Sequence, residues 1–130
     1  VDVRSGELLW SYSHKPFPFF SSVALTDTLV VVGGRDSHLH AINLDSGQAV
    51  WRFKSRGNID SSPVVVGDRV VIGSNDGRLY ILDLADGSEI WTYDLGEAIN
   101  SSPAVSGGWL IIGCDDGNLY AFRGEDAGHE

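Results

Sequence analysis

Two histidines stand two residues apart, at His38 and His40, in a short apolar stretch. Strand geometry puts both side chains on one face. A pair of imidazoles is a start toward zinc, which takes three or four ligands. The sequence offers no third ligand at a recognisable spacing. The chain is also built from units that recur about every forty residues, which supplies an internal control. In the other two units the same places hold Arg78 with Tyr80 and Asn118 with Tyr120, so His40 fills an aromatic position. The expectation is that no metal binds. Asp76, Asp115 and Asp116 raise calcium, which needs six to eight oxygen ligands at set spacings. The D-x-[DN]-x-[DN]-G pattern is missing, and turn chemistry accounts for Asp76-Gly77 and Asp116-Gly117. His14, His38, His40 and His129 coexist with many Ser and Asp residues, but no nucleophile elbow accompanies them, so no catalytic residue is expected. Cys114 is the one cysteine, which excludes an internal disulfide and reads as a small buried hydrophobe. The sequon Asn100-Ser101-Ser102 falls at an expected strand start and carries little weight.

The elements that position these residues come from the repeat. Ser61 to Trp91 reads SSPVVVGDRVVIGSNDGRLYILDLADGSEIW. Its first part recurs from Ser101 to Tyr120, and the whole recurs more loosely from Ser21 to Trp51. Each unit divides into four short strands separated by turn signals. First strands are expected near 23–26, 63–66 and 103–106, and second strands at 29–33, 70–73 and 110–113. Third strands follow at 38–43, 78–83 and 118–122, and outer strands at 48–53, 88–93 and, opening the chain, 7–12. Asp-Gly, Gly-Asp and Ser-Gly pairs between them supply the positive φ of tight hairpins. The second strands are apolar on consecutive residues, as in Val70-Val71-Ile72, so both their faces should be covered.

The wider composition agrees. Sixteen Gly and four Trp in 130 residues fit an all-β chain of short strands and tight turns. The net charge of −9, with basic residues scattered, argues against nucleic acid as a partner. No apolar run is long enough for a membrane-spanning helix.

Short antiparallel strands repeated at this period are the mark of propeller blades. The expected fold is an all-β β-propeller of three four-stranded blade-equivalents. The outer strand lies within 1–12, blades at 21–53 and 61–93, an incomplete blade at 101–123, and a tail at 124–130. Rings hold about four to eight blades. Either the chain is an excerpt of a longer one, or two copies join into a six-bladed ring in which each lends its outer strand to the other.

The segment Ala41-x-Asn43-x-x-Ser46-Gly47-x-x-x-Trp51 resembles the PQQ-like β-propeller repeat. Asp83, Gly87 and Trp91 match it again, as do Asp2, Gly6 and Trp10, so the resemblance covers nearly all of residues 1–123. It implies that Trp10, Trp51 and Trp91 dock between adjacent blades, and physical reasoning agrees: an indole fills a large gap and donates one N–H. The family includes quinoprotein alcohol dehydrogenases, scaffolds of outer-membrane assembly and sensor domains. A dehydrogenase would imply PQQ with calcium in a central funnel, often under a disulfide of adjacent cysteines, and this chain has a single cysteine. By the same resemblance the compartment would be periplasmic or extracellular.

The repeat also marks one departure. Between outer strand and next blade, two units read SRGNID and LGEAIN, whereas the first reads KPFPFF, Lys15 to Phe20. Trp10 to Ser21 is eleven residues where the other two connections are ten. Clustered aromatics on a loop point to recognition, or to a local plug over the inner strands. The partner-binding candidates are Pro16, Phe17, Pro18, Phe19 and Phe20, with Arg35 and Arg56 on the same rim. The resulting expectation is a non-catalytic binding or assembly module that presents a loop rim to a protein or peptide. The alternatives are a segment of a PQQ-dependent dehydrogenase and a self-assembling half-ring.

Overall fold

The computed structural model describes residues 4, 6–14 and 16–124. These form three antiparallel sheets with the strands of each in sequence order. Blade 1 is β1 (Ala24–Leu25), β2 (Leu29–Gly33), β3 (His38–Asn43) and β4 (Ala49–Lys54). Blade 2 is β5 (Val64–Val66), β6 (Arg69–Gly73), β7 (Arg78–Asp83) and β8 (Glu89–Asp94). Blade 3 has three strands, β9 (Ala104–Ser106), β10 (Trp109–Gly113) and β11 (Leu119–Arg123). The sheets resemble propeller blades packed face to face.

The uninterrupted apolar second strands have the cause expected. In β6, Val70 and Ile72 pack toward blade 1 with Val31, Leu39 and Trp51, while Val71 packs toward blade 3 with Leu110 and Ile112. In β2, Val30 and Val32 face Trp10, Tyr12 and Phe19. A strand that lies between two layers has no face to give to water, so alternation disappears.

Two tryptophans, Trp10 and Trp51, bond across to the blade that follows them. Trp51 lies within β4, the outer strand of blade 1, and donates its indole N–H to the Leu84 carbonyl of blade 2 at 2.9 Å. Trp10 makes the same bond to Leu44 of blade 1 at 2.8 Å. The indoles lie over the turn glycines. A Cβ on Gly47, at φ +75°, would sit 2.6 Å from the Trp10 ring, and one on Gly87, at φ +76°, would run into Trp51. Glycine at these two places answers two demands, a left-handed backbone and a ring overhead. A bulge in the pairing of β3 with β4, between Ala41 and Ile42, falls beside Trp51. Its twin lies between Ile81 and Leu82, beside Trp91.

Two expectations are revised. Residues 7–12 form no strand, although the Trp10 indole reaches the Leu44 carbonyl of blade 1. A strand needs a hydrogen-bonding neighbour, and β11 does not pair with this segment. Cys114 is half-buried rather than fully buried, with its thiol directed at the Glu97 carbonyl at 3.3 Å. The tail beyond Gly124, with His129, and Lys15 lie outside the described residues.

Candidate functional site

Each connection into a blade is laced to the turns between second and third strands. The Arg35 amide donates to the Pro18 carbonyl at 3.0 Å, Asn75 to Asn58 at 2.9 Å, and Asp115 to Ala98 at 3.0 Å. Crossing to the preceding blade, Ile59 N–H donates to Gly34 and Ile99 N–H to Ser74, both at 3.1 Å. Connections and turns therefore share one rim, as the strand order requires.

On that rim the KPFPFF connection divides by role. Counted back from the Ser-Ser that opens each blade, Phe19 is the counterpart of Ile59 and Ile99. Those two are fully buried, pressed against Gly33 and Gly73. Phe19 is half-buried and packs edge-on against His40, with ring centroids 5.2 Å apart. It is the plug. Phe17 and Phe20 are 49% and 61% exposed, and Pro16 and Pro18 are exposed with them. Arg35 lies 4.4 Å above the Phe20 ring and forks onto both Asp60 carboxylate oxygens, at 3.1 and 2.8 Å. Arg56 sits farther along, in the connection to blade 2. Its amide donates to Asp76 and its side chain is exposed.

The same corner holds a cluster that sequence spacing does not reveal. Asp36 is the turn aspartate of blade 1, and its side chain is almost fully buried. His14 Nδ1 lies 2.8 Å from its Oδ2, and His40 Nε2 lies 3.1 and 3.0 Å from its two oxygens. His38 Nδ1 is 2.8 Å from the Asp36 main-chain carbonyl and 3.9 Å from Oδ2. The network fixes the His40 tautomer. Arg52 Nε–H donates to the Tyr12 hydroxyl at 3.1 Å, and that hydroxyl donates to His40 Nδ1 at 2.9 Å. His40 Nε2–H is then left to donate to Asp36. Burial pushes the Asp36 carboxyl up, but hydrogen bonds from His14 and His40 overcome it and hold the group below the usual carboxylate range. Burial holds the His40 imidazole below its ordinary value, against the pull of Asp36.

In the other blades this corner is simpler. The Tyr80 hydroxyl donates to Asp76 at 2.6 Å, and Tyr120 donates likewise to Asp116. His40 thus stands where a tyrosine meets the turn aspartate, which confirms its aromatic position and adds Asp36 and His14 to the His38–His40 pair. The signal available in the sequence was the aspartate four residues before each of these rings.

Residues 1–128 match the family model described as outer membrane protein assembly factor BamB. The chain belongs to this family of PQQ-like propeller repeats. That is an assembly-factor family, in line with a non-enzymatic module. Among solved structures, BamB from Moraxella catarrhalis is similar at 25% identity with a TM-score of 0.69, over 81% of this chain and 33% of that one. The computationally designed Ika4 protein is similar at 18% identity and TM-score 0.69, over 78% and 63% of the two chains. A quinohemoprotein alcohol dehydrogenase, ADHIIG from Pseudomonas putida HK5, reaches TM-score 0.72 at 20% identity, over 79% of this chain and 18% of that one. The last two share the fold alone. This BamB-family chain spans about a third of the length of the Moraxella protein. No curated protein sequence matches it. Cys114, the one cysteine of the chain, has its thiol directed at the Glu97 carbonyl and forms no adjacent-cysteine pair. No helix among the described residues is long and apolar enough to cross a membrane.

Proposed function

We propose that the chain is a non-catalytic module of a BamB-type assembly factor that docks a protein segment on the rim built from Pro16–Phe20, Arg35 and Arg56. The observation that carries this reading is the exposure of Phe17 and Phe20 around a plug, Phe19, that already does the structural work. Exposed aromatic side chains, one of them (Phe20) under a stacked arginine, are the kind of group that anchors a partner. The family supplies the class of role, assembly of outer membrane proteins, and with it a periplasmic setting. A photo-crosslinking residue placed at 17 or 20, in the cells that make the protein, should give adducts to one protein partner. The same probe at Asp45, in an exposed turn on the opposite rim, should not. Equal labelling at 45 would refute the rim as the docking surface.

A second reading concerns the ring. Leu119 of blade 3 is 74% exposed, while its counterparts Leu39 and Leu79 are 0% exposed beneath neighbouring blades. We infer that a further blade covers this face, from a longer chain or from a second copy in a six-bladed ring. Light scattering separates the two. A dimer that Leu119→Asp dissociates supports the two-copy ring, and a monomer at all concentrations excludes it.

A further inference from the structure

We propose that His14, Asp36 and His38 form a binding site for a zinc-type divalent cation, with His40 as its carboxylate-orienting neighbour. One ligand atom from each of the three residues lies within 4.8 Å of the others. A tetrahedral zinc with bonds near 2.1 Å places its ligands roughly 3.4 Å apart, so the 2.8 Å between His14 Nδ1 and Asp36 Oδ2 must widen, and the 3.9 Å between His38 Nδ1 and Oδ2 must shrink, to take the ion. Two imidazoles and one carboxylate suit zinc or cobalt better than calcium or magnesium, which take oxygen. Three protein ligands leave a fourth position for water.

The supporting shell is in place. Asp36 is held from behind by the His40 imidazole, whose other nitrogen is fixed by the Tyr12 hydroxyl and, beyond it, Arg52. Outer hydrogen bonds of this kind orient a ligand and raise its affinity for metal. His40 is fully buried, whereas the side chains of His14 and His38 are 22% and 16% exposed. The ion would enter from solvent past those two. It would take the place of the proton that His14 Nδ1 now shares with Asp36 Oδ2, and the neutral ring would carry its N–H on Nε2 instead, by exchange through water.

The repeat shows that the scaffold does not require this arrangement. At the counterparts of His14 stand Ser55 and Leu95, of His38 stand Arg78 and Asn118, and of His40 stand Tyr80 and Tyr120. The chain has four histidines, and three of them converge on one carboxylate in one blade. Ser37 completes the difference. It holds φ +69° where the other turns have Gly77 and Gly117.

The test uses untagged, metal-free protein titrated calorimetrically with Zn2+, and with Co2+ for its visible absorption in a tetrahedral site. The variants are chosen from residues the other blades already carry, so that each should fold: His14→Ser, His38→Asn and His40→Tyr. One equivalent of Zn2+ should bind and raise the melting temperature. Affinity should fall by more than about 100-fold in His14→Ser and His38→Asn, and stay within about 10-fold in His40→Tyr, whose hydroxyl can still donate to Asp36 as Tyr80 does to Asp76. His129→Ala should bind as wild type does. Absence of saturable binding, binding untouched by His38→Asn, or loss of binding in His129→Ala would each overturn the site.

Discussion

The contact between each docking tryptophan and the glycine of the next blade can be measured directly. Gly87→Ala carries two penalties. An L-residue at φ +76° costs about 1–2 kcal/mol of backbone strain. The added methyl also strikes the Trp51 ring, and overpacking of this kind costs about 1–3 kcal/mol more. Gly117→Ala is the control, since it has φ +91° and nothing within 4 Å of the new Cβ. Urea unfolding followed by circular dichroism should place Gly117→Ala about 1–2 kcal/mol below wild type. Gly87→Ala should fall lower by the overpacking increment. A double-mutant cycle with Trp51→Leu isolates that increment, because a smaller side chain frees the space above residue 87. In the Leu background, Gly87→Ala should cost no more than its control. Equal losses for Gly87→Ala and Gly117→Ala, or a cycle without coupling, would mean that Trp51 does not rest on that glycine and that the inter-blade lock is drawn wrongly.

Three further expectations bear on the rim and the blades. Ile59→Ala and Ile99→Ala should each destabilise by about 2–5 kcal/mol in urea melts, because both side chains are fully buried between blades. Phe17→Ser and Phe20→Ser should stay within about 0.5 kcal/mol of wild type, whereas Phe19→Ser should exceed that clearly; similar losses at all three would remove the distinction between plug and exposed aromatics. Burial raises the Tyr80 phenol well above its ordinary range, and the Asp76 carboxylate adds to the effect. The unfolded chain loses that proton near pH 10 and the folded chain keeps it, so this contribution is full below pH ~10 and falls as pH rises above it. The urea midpoint should therefore drop less steeply above pH 10 in Tyr80→Phe than in wild type, and identical slopes would refute the burial of the phenol.

Most of the blade architecture was legible because local chemistry dictates it. Asp-Gly and Ser-Gly pairs fix the hairpins, and the consecutive valines of β6 announce two covered faces. Residues 7–12 misled for a physical reason. They carry the composition of an outer strand, but pairing is decided by a neighbour that sequence periodicity does not supply. Trp10 still docks, since its bond to Leu44 depends on the blade that follows it. The role of Phe19 was hidden by the extra residue in its connection. Counted from Trp10 the register slips, and only counting back from Ser21 aligns it with Ile59 and Ile99. The histidine cluster was half legible. His38 and His40 announce themselves, but His14 is 22 residues from Asp36 and reaches it only because the opening segment folds over blade 1.

Those hidden features share one corner, and the repeat explains why that matters. Three blades solve one structural problem with the same parts: a turn aspartate, a ring four residues later and an apolar plug in the connection. Where all three solutions agree, the residues are accounted for by stability alone. Blade 1 keeps each part in position but changes its chemistry, with histidine for tyrosine and phenylalanine for isoleucine. Stability does not demand these exchanges, since Tyr80 with Asp76 and Ile59 against Gly33 already satisfy the same geometry. Phe19 joins the two exchanges, with its ring on His40 and its chain neighbours Pro18 and Phe20 on the exposed rim. The imidazole cluster and the exposed aromatics therefore meet at one corner, joined through Phe19, in the one blade where the repeat departs from itself.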